Sequence, residues 1–317
     1  MVLTADNHNS VNGLRLAART RGAAVAYVPL DRNLCSRNPA PWLPKAGGPS
    51  LFAYPAQSNF SGVRHPLEWV RAAQENGYNV LLDAAAYLSC APLSLRDVSA
   101  DFVAFSFYKL FGYPTGIGAL VARREALAAV RRTYFAGGTV QFASVQNRMM
   151  RLKTGAEAFE DGTPNFLSMP AVCDGLEWMK AHGPCAAVGH LCALKRRLLD
   201  GFAALGERVT VYGASDSGTV AFNLKQPFET VEATARDAGI AIRGGCFCNP
   251  GAAEAAFGIP AGRARACLER EDFTIPRFRE CLGGRPVGGL RVSFGVANNA
   301  ADIDRLLDFV EEQTRVN

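Results

Sequence analysis

Short runs of apolar and β-branched residues alternate with longer helix-like segments through the first half of the chain. Such runs are typical of strands that are buried on both faces of a parallel sheet. Between them, Ser10–Arg21 and Pro66–Asn76 carry the apolar spacing of helices. The alternation predicts an α/β fold with a mostly parallel sheet and helices on both faces. The predicted strands are Met1–Ala5, Ala24–Leu30, Leu51–Pro55, Asn79–Ala84, Phe102–Phe107 and Gly118–Ala122.

The pattern changes after Phe166. A long helical pattern covers Met169–Ala204, and the segments that follow it are shorter. They predict strands Val209–Tyr212, Val220–Asn223, Ile240–Arg243 and Gly289–Phe294, and helices Thr230–Ala238 and Ala301–Glu312. We therefore expect a large domain over residues 1–170 and a smaller α+β domain over 171–317. The Pro- and Gly-rich stretch Asn33–Ser50 has no period and predicts a surface loop.

Composition narrows the class of protein. The chain has 317 residues, of which 49% are hydrophobic and 20% charged, as in ordinary globular proteins. The formal net charge of +5 is spread along the chain, which does not suggest a nucleic-acid partner. No apolar stretch reaches the ~20 residues of a membrane span, and the first residues do not resemble a signal peptide. We expect a cytoplasmic protein with no membrane partner.

Nine cysteines are present, an odd number without framework spacing, which fits a reducing compartment. We expect most of them to be packing residues or incidental thiols. These are Cys35, Cys90, Cys173, Cys185, Cys192, Cys267 and Cys281.

A carboxylate and an amine follow two of the predicted strands. Asp83 ends one strand, and Lys109 comes just after a later one. Ligands gather outside the carboxyl ends of strands in open α/β sheets, so both groups should face one crevice. This pair suits pyridoxal 5′-phosphate (PLP), because a carboxylate keeps the pyridinium nitrogen protonated and a lysine forms the Schiff base. A partly buried ion pair is an equal alternative from the residues alone.

The segment 101–118, which contains Ser106-Phe107-Tyr108-Lys109 and Gly112-Tyr113-Pro114-Thr115-Gly116, resembles the PLP-lysine region of class V aminotransferases and cysteine desulfurases. Its variant is most similar to the desulfurase domain of molybdenum cofactor sulfurases. Matching stretches run from Asp6-Asn7-His8 to Arg291-Val292-Ser293, over essentially the whole chain. The resemblance implies a PLP-dependent transferase fold of type I, with Lys109 as the Schiff-base lysine and Asp83 beside the ring nitrogen.

The resemblance also assigns side chains to the cofactor ring. His8 matches a histidine that stacks on the ring and helps to move protons. Asn59 matches an asparagine that hydrogen-bonds the phenolic oxygen. Taken alone, His8 would be a helix cap or a surface residue, and Asn59 an ordinary loop residue.

For the cofactor phosphate, the resemblance implies contacts from Ser106 and Tyr108. Thr163 matches a threonine that reaches the phosphate of the neighbouring subunit, which implies a homodimer. Asp161-Gly162-Thr163-Pro164 is also strong turn chemistry by itself.

A second motif is the segment Arg243-Gly244-Gly245-Cys246-Phe247-Cys248-Asn249-Pro250-Gly251. Its Cys-x-Cys lacks partners at zinc spacing, so we expect no metal. A thiol near an arginine is instead suited to be a nucleophile, because positive charge favours the thiolate. In the resembled family this loop is mobile and its cysteine takes sulfur from the substrate, a role that falls on Cys248, with Cys246 as the alternative.

Two arginines complete the implied substrate site. Arg243 belongs to its entrance, and Arg291 matches the arginine that binds the substrate carboxylate, a task that a guanidinium performs bidentately. For Arg291, a solvated surface position is the alternative.

The implied activity is removal of sulfur from L-cysteine through a persulfide, with molybdenum cofactor or a protein as sulfur acceptor. One alternative is a class V aminotransferase, epimerase or lyase that acts on another amino acid. Another is a catalytically silent binding subunit, because the family's phosphate-binding loop and first strand lie upstream of the segment that matches His8. We therefore expect an N-terminally short chain in which Gly118–Ala122 forms an open sheet edge.

Overall fold

Six strands form the main sheet. In the computed structural model, which describes residues 1–214 and 217–315 without the side chains of 184–187, their order is β2-β1-β3-β4-β5-β6. The first five are parallel, and β6 runs antiparallel to β5 at the edge of the sheet. The six predicted strands and the open edge are confirmed, and the α/β class with them. The strands are β1 (Val2–Thr4), β2 (Ala26–Val28), β3 (Ser50–Pro55), β4 (Tyr78–Asp83), β5 (Phe102–Ser106) and β6 (Gly118–Ala122).

Helices cover this sheet, and its central strands supply the core. Phe52, Tyr54, Val80 and Leu82 are fully buried between the layers. The predicted helix Ser10–Arg21 is in fact two short helices, because Gly13 ends the first and begins the second. The helices of this half are α1 (Asn9–Asn12), α2 (Leu14–Thr20), α3 (Trp69–Glu75), α4 (Phe107–Phe111) and α5 (Arg124–Ala129).

A second, antiparallel sheet follows, with the order β11-β12-β10-β9. The predicted strand Ile240–Arg243 is wrong except for its last residue. The amide of Ile240 bonds to the carbonyl of Ala235 and closes the end of a helix, so the strand begins only at Arg243. The strands are β9 (Thr210–Tyr212), β10 (Thr219–Asn223), β11 (Arg243–Gly245) and β12 (Gly289–Ser293).

The predicted helix Met169–Ala204 is also divided in two. Gly183 has extended backbone, and Pro184, which cannot continue a helix, starts the next one. Two of the helices, α7 and α12, pack on the second sheet through buried Leu198, Phe202 and Val310. The helices are α6 (Pro170–His182), α7 (Pro184–Leu205), α8 (Phe228–Asp237), α9 (Pro250–Phe257), α10 (Ala261–Leu268), α11 (Ile275–Cys281) and α12 (Ala300–Arg315).

A hairpin that the sequence analysis did not predict lies outside both sheets. It consists of β7 (Val140–Ser144) and β8 (Met149–Leu152). Its apolar side chains are largely exposed, with Phe142 at 69% and Val145 at 93%. This surface and the edge strand β6 leave many apolar groups uncovered in the single chain.

The cysteine prediction needs one correction. Cys267 and Cys281 form a disulfide between α10 and α11, so they are not incidental thiols. The spacing gave no signal because two helices bring the residues together. Cys185 falls outside the described side chains.

Other features bear on possible partners. No described helix is long and apolar enough to cross a membrane. Among the described residues, no three His, Cys, Asp or Glu side chains cluster as a metal site would require.

Candidate active site

A cavity of about 970 Å³ opens where the carboxyl ends of the parallel strands meet the second sheet. His8 follows β1, Asn59 follows β3, and Lys109 lies in α4, directly after β5. Seven of the ten predicted site residues line this cavity: His8, Asn59, Tyr108, Lys109, Arg243, Cys248 and Arg291. The volume is within the range of sites for small molecules and cofactors.

Lys109 is the amine of the cavity. Its Nζ donates a hydrogen bond to Oδ1 of Asn59 at 3.2 Å. Burial lowers the pKa of Lys109, and the positive charges of Arg291 and Arg243 lower it further, against the opposing effect of Asp83 and Cys248. The neutral, nucleophilic amine is therefore more available here than in a solvated lysine.

Asp83 is the last residue of β4 and does not itself line the cavity. Its Oδ1 accepts a hydrogen bond from the Ala85 amide at 3.0 Å. Its charge nevertheless acts on both Lys109 and His8, so the carboxylate lies beside the same site. Within the described chain, Asp83 and Lys109 form no direct ion pair, which removes the simple ion-pair interpretation.

His8 has two functions in the structure. Its Nδ1 caps α1 by accepting the Ser10 amide at 3.2 Å, as the alternative interpretation expected. It also lines the cavity, where burial and then the charge of Lys109 lower its pKa against the effect of Asp83. The imidazole is thus favoured in its neutral form beside Lys109.

Arg243 and Arg291 are directly paired across β11 and β12. Burial, with the charge of Arg243, lowers the pKa of Arg291 to about 10. Its Nη1 donates to the backbone oxygen of Asn59, whereas its Nε is buried without a partner. No carboxylate among the described residues forms an ion pair with Arg291, so its charge is available to an anion that enters the cavity. The surface interpretation of Arg291 is therefore wrong.

The two cysteines of the Cys-x-Cys segment differ in position. Cys248 is exposed and lines the cavity, close enough to Lys109 and Arg291 for its thiolate form to raise the pKa of both groups. Cys246 is half-buried and packs with the cluster around Phe60 and Phe257. The geometry thus favours Cys248 over Cys246 as the thiol that meets a bound molecule.

Three residues, Tyr108, Ser106 and Thr163, were predicted to contact the cofactor phosphate. Tyr108 lines the cavity and is 45% exposed. Ser106 stands before α4 and makes no side-chain capping bond. Thr163 is exposed and outside the cavity of its own chain, so its predicted role across a subunit interface stays a prediction.

One wall of the cavity was not predicted from the sequence. One face of α6 contributes Asp174, Gly175 and Trp178, and the segment after β12 contributes residues 294–297. Neither segment carried a motif, because both meet the site only through the packing of the second half of the chain on the first.

The chain is similar to known proteins of one family. The family model described as Aminotransferase class-V matches residues 1–306. The molybdenum cofactor sulfurase of Arabidopsis thaliana is 34% identical over 365 residues, which cover 97% of this chain and 44% of the relative. That of Danio rerio is 35% identical over 339 residues, which cover 96% of this chain and 41% of the relative. The chain thus spans less than half the length of these curated relatives.

Solved structures show the same fold. An apo cysteine desulfurase from Thermococcus onnurineus superposes with a TM-score of 0.79 at 24% identity, over 99% of this chain and 72% of that one. The cysteine desulfurase CsdA of Escherichia coli gives 0.78 at 24% identity, with the same coverage.

Proposed function

Because the chain belongs to the class V aminotransferase family, we propose that it is a PLP-dependent enzyme that removes sulfur from L-cysteine. The products are L-alanine and a persulfide on Cys248. One observation carries this proposal: the amine of Lys109, the thiol of Cys248 and the guanidinium of Arg291 face one cavity.

The residues present fit the cofactor that the family indicates. Lys109 offers a buried amine of lowered pKa to bond the aldehyde, and the charge of Asp83 acts on it from the end of β4. His8 and Asn59 would hold the ring, and Ser106 and Tyr108 the phosphate, with Thr163 from a partner subunit. When bound, PLP supplies an electron sink for the bonds around the substrate α-carbon.

The positive charges of two arginines indicate where the substrate carboxylate would bind. Arg291 would bind the amino-acid carboxylate, because a guanidinium with an unpartnered Nε offers planar donors to two oxygens. Arg243 adds positive charge beside it. Lys109, as a neutral amine, would remove the proton from the α-carbon.

Cys248 would perform the sulfur transfer. Its thiolate attacks the substrate sulfur, so that an S–S bond forms and the bond between that sulfur and the β-carbon breaks. The electron pair of the broken bond stays with the β-carbon, which takes up a proton. The α-carbon would recover a proton from Lys109, and the product leaves as L-alanine. Sulfur then passes to an acceptor, for which molybdenum cofactor is the candidate because of the sulfurase relatives.

The assembly that we propose is a homodimer with shared sites. The exposed apolar hairpin β7–β8 and Thr163 lie outside the cavity of the single chain, as surfaces for a second copy would.

Alanine formation from L-cysteine tests the proposal. In PLP-loaded protein, we expect Cys248→Ser to abolish alanine and persulfide formation. Cys246→Ser is the matched control, since its thiol packs away from the cavity, and it should keep most of the activity. Unchanged alanine formation in Cys248→Ser would refute Cys248 as the thiol that takes up sulfur and leave it a bystander. A parent protein that forms no alanine from L-cysteine would instead mean that the enzyme acts on another amino acid.

A further inference from the structure

The segment that carries Cys248 has an uncommon backbone. Phe247 and Cys248 both have positive φ, at 54° and 55°. Among the described residues, they are the only neighbouring non-glycine pair in this left-handed region. Residues other than glycine adopt this backbone conformation at an energetic cost, so surrounding contacts must stabilise it.

Hydrogen bonds to the carbonyl groups of the segment provide part of this stabilisation. The Phe247 oxygen accepts a hydrogen bond from Nδ2 of Asn59 at 2.8 Å. The Cys248 oxygen accepts the Asn9 amide at 2.7 Å. The segment is thus tied to the loops that carry Asn59 and His8, and the Cys248 side chain is directed to the cavity.

Contacts of the Phe247 ring provide the remaining stabilisation of the segment. It is 7% exposed and packs against Phe60, with ring centroids 5.4 Å apart. It also lies under the guanidinium of Arg291, whose Cζ is 4.6 Å from the ring centroid. At this distance a cation is attracted to the negative face of an aromatic ring.

We propose that Phe247 is a positioning residue that places two groups at once. Its ring orients the Arg291 guanidinium for the substrate carboxylate, and its backbone sets the adjacent Cys248 towards the substrate sulfur. The proposal rests on the proposed desulfurase function for its consequences in turnover. When Arg291 binds the substrate carboxylate, the substrate sulfur is thereby placed at the thiol of Cys248.

Three variants test this assignment. Phe247→Leu keeps an apolar side chain but removes the aromatic face, and Phe247→Tyr keeps the face. Phe257→Leu is the matched control, because Phe257 is equally buried at 7% and contacts the same Phe60. Within the described chain, Arg291 stacks on Phe247 and not on Phe257.

We expect Phe247→Leu to raise the KM for L-cysteine on the order of 3- to 30-fold, the range that a lost cation–π contact covers. Two measurements that need no turnover accompany it. Alkylation of Cys248 by iodoacetamide, followed by peptide mass spectrometry, should become several-fold faster. Hydrogen exchange at the Asn9 amide should also accelerate, because its acceptor is the Cys248 carbonyl.

Phe247→Tyr and Phe257→Leu should keep the parent values of all three quantities. The proposal is overturned if Phe247→Leu behaves as the parent does, if Phe257→Leu reproduces its changes, or if Phe247→Tyr behaves like the leucine variant. A parent protein that makes no alanine from L-cysteine would refute the proposed function alone. Alkylation and exchange would then still decide the assignment of Phe247.

Discussion

Nε2 of His65 lies 2.6 Å from Oδ2 of Asp6, and both side chains are almost completely buried. Asp6 belongs to the segment that carries His8, and His65 follows the loop that carries Asn59. Trp69 stacks on the His65 ring, with ring centroids 5.7 Å apart, and shields the pair from solvent. The pair therefore fixes two walls of the cavity relative to each other.

Breaking this pair should destabilise the fold strongly. Asp6→Ala leaves the buried Nε2 of His65 without its hydrogen-bond partner, and we expect the free energy of unfolding to fall by about 1–3 kcal/mol. Urea unfolding measures the change. Arg71→Ala is the control, because its ion pair with Glu75 is exposed at 87% and 64% and contributes only about 0–1 kcal/mol. Equal, small losses in the two variants would show that the buried pair does not anchor the loops.

The pH dependence of cofactor capture should report the charges around Lys109. The amine reacts in its neutral form, so the rate of PLP capture rises with pH, with a midpoint below the ordinary lysine value of 10.5. Arg243→Gln removes a positive neighbour, which favours the ammonium and moves the midpoint to higher pH. Asp83→Asn removes a negative neighbour and moves it to lower pH. Stopped-flow absorbance at several pH values gives the midpoints.

The control for the pH experiment is Arg236→Gln. Arg236 is exposed and pairs with Asp237, and its charge does not contribute to the pKa shift of Lys109. Its midpoint should equal that of the parent. Shifts of Arg243→Gln and Asp83→Asn in the same direction would contradict the electrostatic description of the site.

Two glycines in helices should respond in opposite ways to alanine. A Cβ at Gly251, in α9, would lie 2.1 Å from the backbone oxygen of Ala5, so Gly251→Ala must push α9 away from the end of β1. We expect a loss of about 1–3 kcal/mol in the free energy of unfolding. Gly262, in α10, has open space around the same position, and Gly262→Ala should stabilise by roughly 0.5–1 kcal/mol. If Gly251→Ala were as stable as Gly262→Ala in urea unfolding, the close packing of α9 on β1 would be wrong.

The main sheet was predictable because its central strands are largely buried and read as continuous apolar runs. Asp83 and Lys109, at the carboxyl ends of two of these strands, followed from the rule that parallel strands gather their ends at one edge, whereas His8 and Asn59 were selected by motif resemblance. The hairpin β7–β8 was missed because its apolar side chains face outwards, so no core imposes a pattern on it.

Relations between distant segments of the second half were not predictable. The register that pairs Arg243 with Arg291 depends on how β11 and β12 align, which neither segment specifies alone. The stacking of Arg291 on Phe247 and the Cys267–Cys281 disulfide arise in the same way, from packing of elements that are far apart in the chain. Motif resemblance selected Arg291 and Cys248, but their contacts with Phe247 arise only in the folded structure.

Whether Cys248 receives the substrate sulfur can be read from peptide mass spectrometry of the PLP-loaded protein after incubation with L-cysteine. We expect the peptide with Cys248 to gain the mass of one sulfur atom and alanine to appear in equal amount in a single turnover, and we expect Lys109→Ala to prevent both. Alanine without added sulfur on Cys248, or sulfur on Cys248 that persists in Lys109→Ala, would contradict the proposed reaction.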